Sequence, residues 1–224
     1  MSAYKNGHMR TETVGADSVR VSESLAGVAM TSNPDIFAEL NGANADVISL
    51  RIPKGVVVEG ARSGADRYAL ACADWGRSRL VAFDQSERLV ELVTAVVDGA
   101  ELAGLSLFAG WQSQTRVSDP QGRCYQLLNV LRELRGSVHI TAVVAHGVTP
   151  LQALLANPKN NGAETAERFG WSGPYQDVKH LRDDFMAAEN LTNVLMAQHL
   201  SVLTTVEQNE LLELVTEVHS ILFP

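Results

Sequence analysis

The sequence predicts an all-α, two-lobed helical protein, and three observations carry that expectation. Apolar residues recur at spacings of three and four through most of the 224 residues, helix-start signatures precede the clearest of these stretches, and β-branched residues concentrate in one short segment, 45–59. The lobes are expected at 16–113 and 114–224, after a polar, patternless arm at 1–15.

Taken in order, Val19, Val21, Leu25 and Val28 form an approximate helical stripe, and Asn33-Pro34 opens a short helix, PDIFAEL. Ala45 to Glu59 surrounds a Pro53-Lys54-Gly55 turn and reads as a small hairpin or an extended connection. Residues 63–83 and 86–103 are amphipathic and are expected to pair as a helical hairpin, with Asp84 and Glu87 at capping-box spacing between them. Ser118-Asp119-Pro120-Gln121 starts a helix expected to run to Arg135, where Gly136 interrupts it before a segment from Val138 to Ala145. Thr149-Pro150-Leu151-Gln152 is a further start, with a hydroxyl acceptor, a proline that has no hydrogen bond to lose and a glutamine at the third helical position. A loop over 157–162 follows, then one or two helices between Tyr175 and Val202, then a last helix capped by Thr204 and Glu207. That helix shows an apolar face of Leu211, Leu212, Leu214, Val215, Val218 and Leu222. Its end is too apolar to be left in water, so it is a packing element and a candidate homodimer surface.

Composition narrows the function. With 46% hydrophobic and 20% charged residues the chain is an ordinary folding sequence. A net charge of −8 argues against a surface dedicated to nucleic acid, so no specific nucleic-acid partner is expected. Arg116, Arg123, Arg132 and Arg135 nevertheless fall close together and could form a local basic patch. Cys72 and Cys124 sit in helical patterns and read as buried thiols. No stretch is apolar enough to cross a bilayer, and the polar start lacks the apolar core of a secretion signal, so no membrane partner and a cytoplasmic location are expected.

The second half resembles a family of actinobacterial all-helical proteins grouped with helix-turn-helix domains of winged-helix type. The resemblance spans about residues 105–224 and rests on Leu107-Phe108-Ala109 with Trp111, Asp119-Pro120, Leu131-Arg132-Glu133 followed by Arg135-Gly136 and His139, then Gly147, Ala153 and Gly170-Trp171-Ser172. Members usually read Leu-Arg-Glu-His-Arg-Gly-Asp-Gly-His where this chain reads LRELRGSVH, so Leu134 stands in place of a histidine and Val138 in place of a glycine. The Leu-Thr-x-x-Gly segment that resembles a wing in the family is missing after Trp171. The resemblance thus implies a winged-helix-derived C-terminal lobe without its wing, and a setting in actinobacterial specialised metabolism.

Two sets of residues are candidates for chemistry. His139 lies four residues after Arg135 and seven before His146, so on a continuous helix they share a face. Together His139 and Arg135 could act as proton carrier and anion holder, or they could tie helices through backbone carbonyls. Both side chains are expected to face a common cavity lined by an aromatic. His146 is placed to cap a helix end. His180 with Asp183 and Asp184, and the run Glu207, Glu210, Glu213 and Glu217, read as solvated faces. Phe108, Trp111, Tyr125 and Trp171 could line a pocket for an apolar or aromatic ligand, or could be core. No phosphate loop, nucleophile elbow, CxxC or HExxH occurs, so no cofactor and no metal are expected. The favoured function is a small-molecule-binding protein. The alternatives are a cofactor-independent enzyme using His139 and Arg135, and a ligand-responsive transcription regulator.

Overall fold

A long helix, half of whose residues are buried, forms the axis around which the other described helices are arranged. The computed structural model describes residues 61–158, 161–168 and 171–222; the expected arm, the stripe at 19–28, the Pro34 helix and the Ala45–Glu59 segment lie outside the described residues. Eight α-helices follow in order: α1 (Ala61–Arg79), α2 (Ser86–Gly99), α3 (Ser106–Gln112), α4 (Pro120–Ala145), α5 (Pro150–Ala156), α6 (Gly162–Arg168), α7 (Arg182–Leu200) and α8 (Thr205–Leu222), with a short 3-10 turn at Lys179–Leu181 before α7. Among the described residues there is no strand, and the protein is all-α as the sequence predicts.

Helix α4 begins where the sequence places it. Asp119 accepts the Gly122 N–H at 2.9 Å, and Pro120 occupies the first turn. It does not stop at Gly136. A single glycine costs a helix only about 1 kcal/mol relative to alanine, and α1, α2, α3 and α7 all pack on α4 and outweigh that penalty. The helix ends instead at Gly147, whose φ of +70° is the left-handed conformation that glycine adopts without strain. His146 occupies the C-cap, as its position before that glycine suggested.

Other ends also follow their local signals. The Thr149 and Gln152 capping box forms with both of its hydrogen bonds, at 2.9 and 3.3 Å, and Thr204 and Glu207 exchange the same pair. The Asp84 cap does not form. Ser86 Oγ donates to the Phe83 carbonyl at 2.9 Å, and α2 starts after Gln85 with no side-chain cap. Helix α3, which the pattern alone does not announce, is capped from a distance: its Phe108 N–H donates to Ser137 Oγ of α4 at 3.1 Å.

One apolar core runs from Tyr68 of α1 to Val218 of α8 and crosses the lobe boundary expected at residues 113 and 114. The α1–α4 contact within it is unusually close. A methyl group on Gly76 would lie 2.6 Å from the Gln121 carbonyl and 2.7 Å from Tyr125 Cβ, so only glycine lets the two backbones approach this far. Arg77 locks the crossing by donating from Nε to Asp119 at 2.9 Å and from Nη1 to Asp74 at 2.7 Å. Helix α8 closes over α2, where Arg88 makes a two-pronged bond to Glu210 at 2.9 and 2.7 Å. Glu207 and Glu210 therefore belong to an interhelical contact and not to the solvated face expected of them, because the apolar stripe of α8 turns them toward α2. Glu213 and Glu217 remain exposed, and Leu212, expected on the apolar face, is exposed with them because it follows Leu211 by a single position and so turns off the buried stripe. Among the described residues no single helix is long and apolar enough to cross a membrane.

Candidate functional site

Because α4 is enclosed by four other helices, any polar residue on its inner faces is withdrawn from water. Tyr125, Asn129, Glu133 and Ser137 recur every four residues, form one column, and are all at most 4% exposed. Ser137 is occupied by capping α3. Asn129 Nδ2 donates back to the Tyr125 carbonyl at 3.0 Å. Glu133 accepts from Arg132 Nη1 at 2.5 Å, and the two side chains are 3% and 11% exposed. Burial pushes the Glu133 carboxyl up against the pull of Arg132, and burial likewise draws the Arg132 guanidinium down. Across from them on α1, burial pushes the Cys72 thiol up to about 12, although its hydrogen bond with Tyr68 and the charge of Arg132 act the other way. Burying an ion pair is expensive, so this pair is poorly explained by stability and marks a candidate site.

Next to this column lies a cavity of about 20 Å³, space for about one water molecule. Cys72 of α1, Trp111 of α3, Gln126 and Asn129 of α4, and Gln114 and Arg116 of the 113–119 loop contribute to its wall. Gln126 donates to the Ala69 carbonyl at 2.8 Å and accepts the Val117 N–H at 2.9 Å. Gln114 donates to the Gly110 carbonyl at 3.1 Å. Among the described residues, Gln114 Oε1 and Asn129 Oδ1 have no hydrogen-bond partner. Trp111 meets Tyr68 edge to face at 5.0 Å, and Tyr125 lies against Trp75 at 4.5 Å.

Three of the four aromatics expected to line a pocket, Phe108, Trp111 and Tyr125, thus belong to one core beside this column. Trp171 lies elsewhere, between α6 and the 3-10 turn, where its N–H donates to the Ala166 carbonyl and its own carbonyl accepts the Tyr175 hydroxyl at 2.5 Å.

His139 and Arg135 point away from the Trp111 cavity, toward α7, and neither lines it. Arg135 is half exposed and donates to Glu189 at 2.9 Å. His139 Nδ1 lies 3.1 Å from Thr192 Oγ1 and 3.3 Å from Glu189 Oε1, with Phe185 edge-on at 6.1 Å. The Thr192 hydroxyl already donates to the Ala188 carbonyl at 2.7 Å, so it can only accept from His139. The imidazole therefore carries its proton on Nδ1. Burial holds its pKa below the ordinary value, Glu189 opposes that shift, and Arg135 adds to it. Arg135 and His139 meet through Glu189, an acidic partner that no local spacing reveals because it is brought in by a different helix.

The α4–α5 junction carries a further motif. The two helices meet at 99° across a four-residue turn, His146 to Thr149, which contains Gly147. Two helices at roughly 90–120° joined by a three- or four-residue turn with glycine make a helix-turn-helix. A helix-turn-helix family matches residues 35–184, more than half of the chain. The protein belongs to this helix-turn-helix family. No curated protein and no solved structure matches the chain.

Within this helix-turn-helix protein, the second helix of the pair has little with which to read DNA. Helix α5 reads PLQALLA, and its single polar side chain, Gln152, is held in the capping box. Base edges are recognised chiefly by Arg, Lys, Asn and Gln. Of the four clustered arginines, Arg116 pairs with Asp98 at 2.6 Å, Arg132 with Glu133 and Arg135 with Glu189, so carboxylates neutralise most of the patch. The wing expected to be missing has no counterpart among the described residues, which contain no strand.

Proposed function

We propose that this helix-turn-helix protein binds a small, largely apolar or aromatic molecule between α1, α3 and α4, beside Trp111, and that the helix-turn-helix serves as scaffold. One observation carries the reading: Asn129, a member of a column of buried polar residues that also holds the ion-paired Glu133, borders a small, largely apolar cavity with Trp111 in its wall. Ligand sites are mostly apolar with a few placed polar groups, and this cavity is apolar with the amide side chains of Gln114, Gln126 and Asn129 among its lining residues. The 113–119 loop forms the outer wall. It is pinned by the exposed Arg116–Asp98 pair and by the Val117 N–H bond to Gln126, so the ligand enters as that loop lifts. The resemblance to actinobacterial proteins supports a setting in specialised metabolism.

The test is native mass spectrometry of the chain after incubation with a small-molecule extract of its source cells. Wild type is expected to retain an adduct that a folded Val130→Phe variant, filled at the cavity wall, does not. An adduct that survives the filled cavity, or none in wild type, overturns the reading.

The family match favours a second reading, a ligand-responsive transcription regulator. It ranks below the first because α5 is apolar and the neighbouring arginines are paired. Duplex binding at two salt concentrations separates the two. A submicromolar, sequence-selective complex at physiological salt would establish the regulator, whereas the scaffold role predicts at most weak association that disappears as salt rises.

A further inference from the structure

The apolar interior of the described protein is divided unequally. The main core runs through α1, α2, α3, α4 and α8 and takes in the second half of α7 through Leu195, Met196 and Leu200. The helix-turn-helix end is held by two small clusters, one of Ala142, Val143, Val148 and Ala188, the other of Ala156, Val178 and Phe185. Helix α5 packs on α6, the 3-10 turn and α7, so its place beside α4 depends on the first half of α7. His139 stands on the seam. Val138 before it belongs to the main core, Ala142 after it to the first small cluster, and its ring meets Phe185 of the second edge-on at 6.1 Å. Its Nδ1–H is accepted by Thr192 Oγ1 at 3.1 Å, and that hydroxyl donates to the Ala188 carbonyl at 2.7 Å. One imidazole thus ties α4 to the stretch of α7 that carries both clusters.

We propose that His139 is an acid-responsive latch: protonation of its imidazole shifts α5, α6 and the first half of α7 toward a form detached from α4, while the main core stays closed. No residue of the Trp111 cavity takes part. The charges that face the ring are Arg135 of its own helix, which repels an imidazolium, and Glu189 of α7, which attracts it but is already bound by Arg135 at 2.9 Å. Among the described residues α1, α2 and α3 bring no charged group against it. Burial and Arg135 prevail, so the closed arrangement holds the second proton less well than a hydrated ring does. Parting α7 from α4 hydrates the ring by disrupting only the two small clusters, and that opening is easier than unfolding the whole core. The latch therefore holds above about pH 7 and loosens as pH falls through the hydrated value near about 6.5. The 99° crossing of α4 and α5 loses its buttress in the open form, so the placement of the second helix of the pair becomes pH-dependent.

Amide hydrogen exchange of the full chain at about pH 7.5 and about pH 5.5, with rates corrected for the chemical pH dependence of exchange, tests the latch. At both pH values the amides of α5, α6 and the first half of α7 are expected to exchange together, with protection at least about tenfold below that of α2 and the first half of α4. On acidification that protection should fall by up to about tenfold in wild type, the limit for one group that titrates near about 6.5 when open. It should fall much less in His139→Gln, which keeps a donor toward Thr192 but cannot take up the proton. Protection equal to that of the core overturns the separate opening, and an equal acid loss in wild type and variant overturns the role of His139. If the variant does not fold, NMR titration of the His139 ring in wild type decides: a midpoint below about 6.5 is expected, and one at or above it overturns the proposal.

Discussion

His139 holds its proton less well in the folded protein than in the unfolded chain, because burial and Arg135 together exceed the attraction of Glu189. The sign of the pH dependence follows. Above about pH 7 the imidazole is neutral in both states and costs nothing; as pH falls through its unfolded value near about 6.5, the unfolded chain takes up the proton first and stability declines. Urea unfolding at about pH 7.5 and about pH 5.5 should therefore show a steeper loss for wild type than for His139→Gln, which keeps a donor toward Thr192. An equally steep loss in the variant would mean that Glu189 offsets the desolvation. The same residue is the base in the enzyme alternative. With Nδ1–H tied to Thr192, its basic nitrogen is Nε2, and that nitrogen would have to carry any proton transfer.

Between elements, the decisive contacts are places where backbones touch. Gly76 and Gly136 are both helical glycines, yet they have opposite roles. A methyl group at Gly76 would collide with α4 backbone at 2.6 Å, whereas at Gly136 the nearest group is the flexible Glu133 carboxylate at 4.0 Å. Gly76→Ala is expected to destabilise by about 1–3 kcal/mol through forced separation of α1 and α4. Gly136→Ala should be neutral or stabilising by about 1 kcal/mol, since alanine restricts the unfolded chain and favours helix. Thermal or urea melts of the two single variants check both signs, and a destabilised Gly136→Ala would show that α4 needs its glycine after all.

For the molecule as a whole, the C-terminal helix acts as a strap across the core. Leu211, Leu214 and Val218 are buried, Ile221 and Leu222 pack partly against the same core, and Arg88 of α2 ties the helix near its start. Truncation after Ser220 removes two half-buried side chains worth about 1 kcal/mol each. The melting temperature should fall by about 4–8 °C, a shift of about 2–4 °C for each kcal/mol in a chain of this size. A truncated chain that melts like the full one would place the hold of α8 entirely in its first turns. Retention of the small-molecule adduct by the folded fraction should be unchanged, because α8 contributes nothing to the Trp111 cavity.

Local signals were enough to read the all-α class, the starts at Asp119, Thr149 and Thr204, the stop at Gly147 and the buried cysteines. Each depends on residues within four positions of one another, or on the periodicity of one helix. The candidate site was legible only in part. Trp111, Tyr125 and Phe108 stood out as aromatics, but Trp171 carried the same signal and lies in another region. Arg132 was visible as one of four clustered arginines and Glu133 only as part of a family resemblance, although the four-residue recurrence of Tyr125, Asn129, Glu133 and Ser137 was present to be read. What made that column significant was its enclosure by α1 and α3, just as Glu189 and Thr192 acquired their role when α7 crossed α4. The sequence by itself determined most of the helical segments, α3 and α6 excepted, and the ends that carry a local capping signal, because capping and periodicity act within one or two turns. Only the tertiary structure decided that Gly136 stays helical, that Gly76 is a crossing point and that a polar column is buried with Asn129 beside a cavity, since each of these depends on the desolvation and contact that distant helices impose.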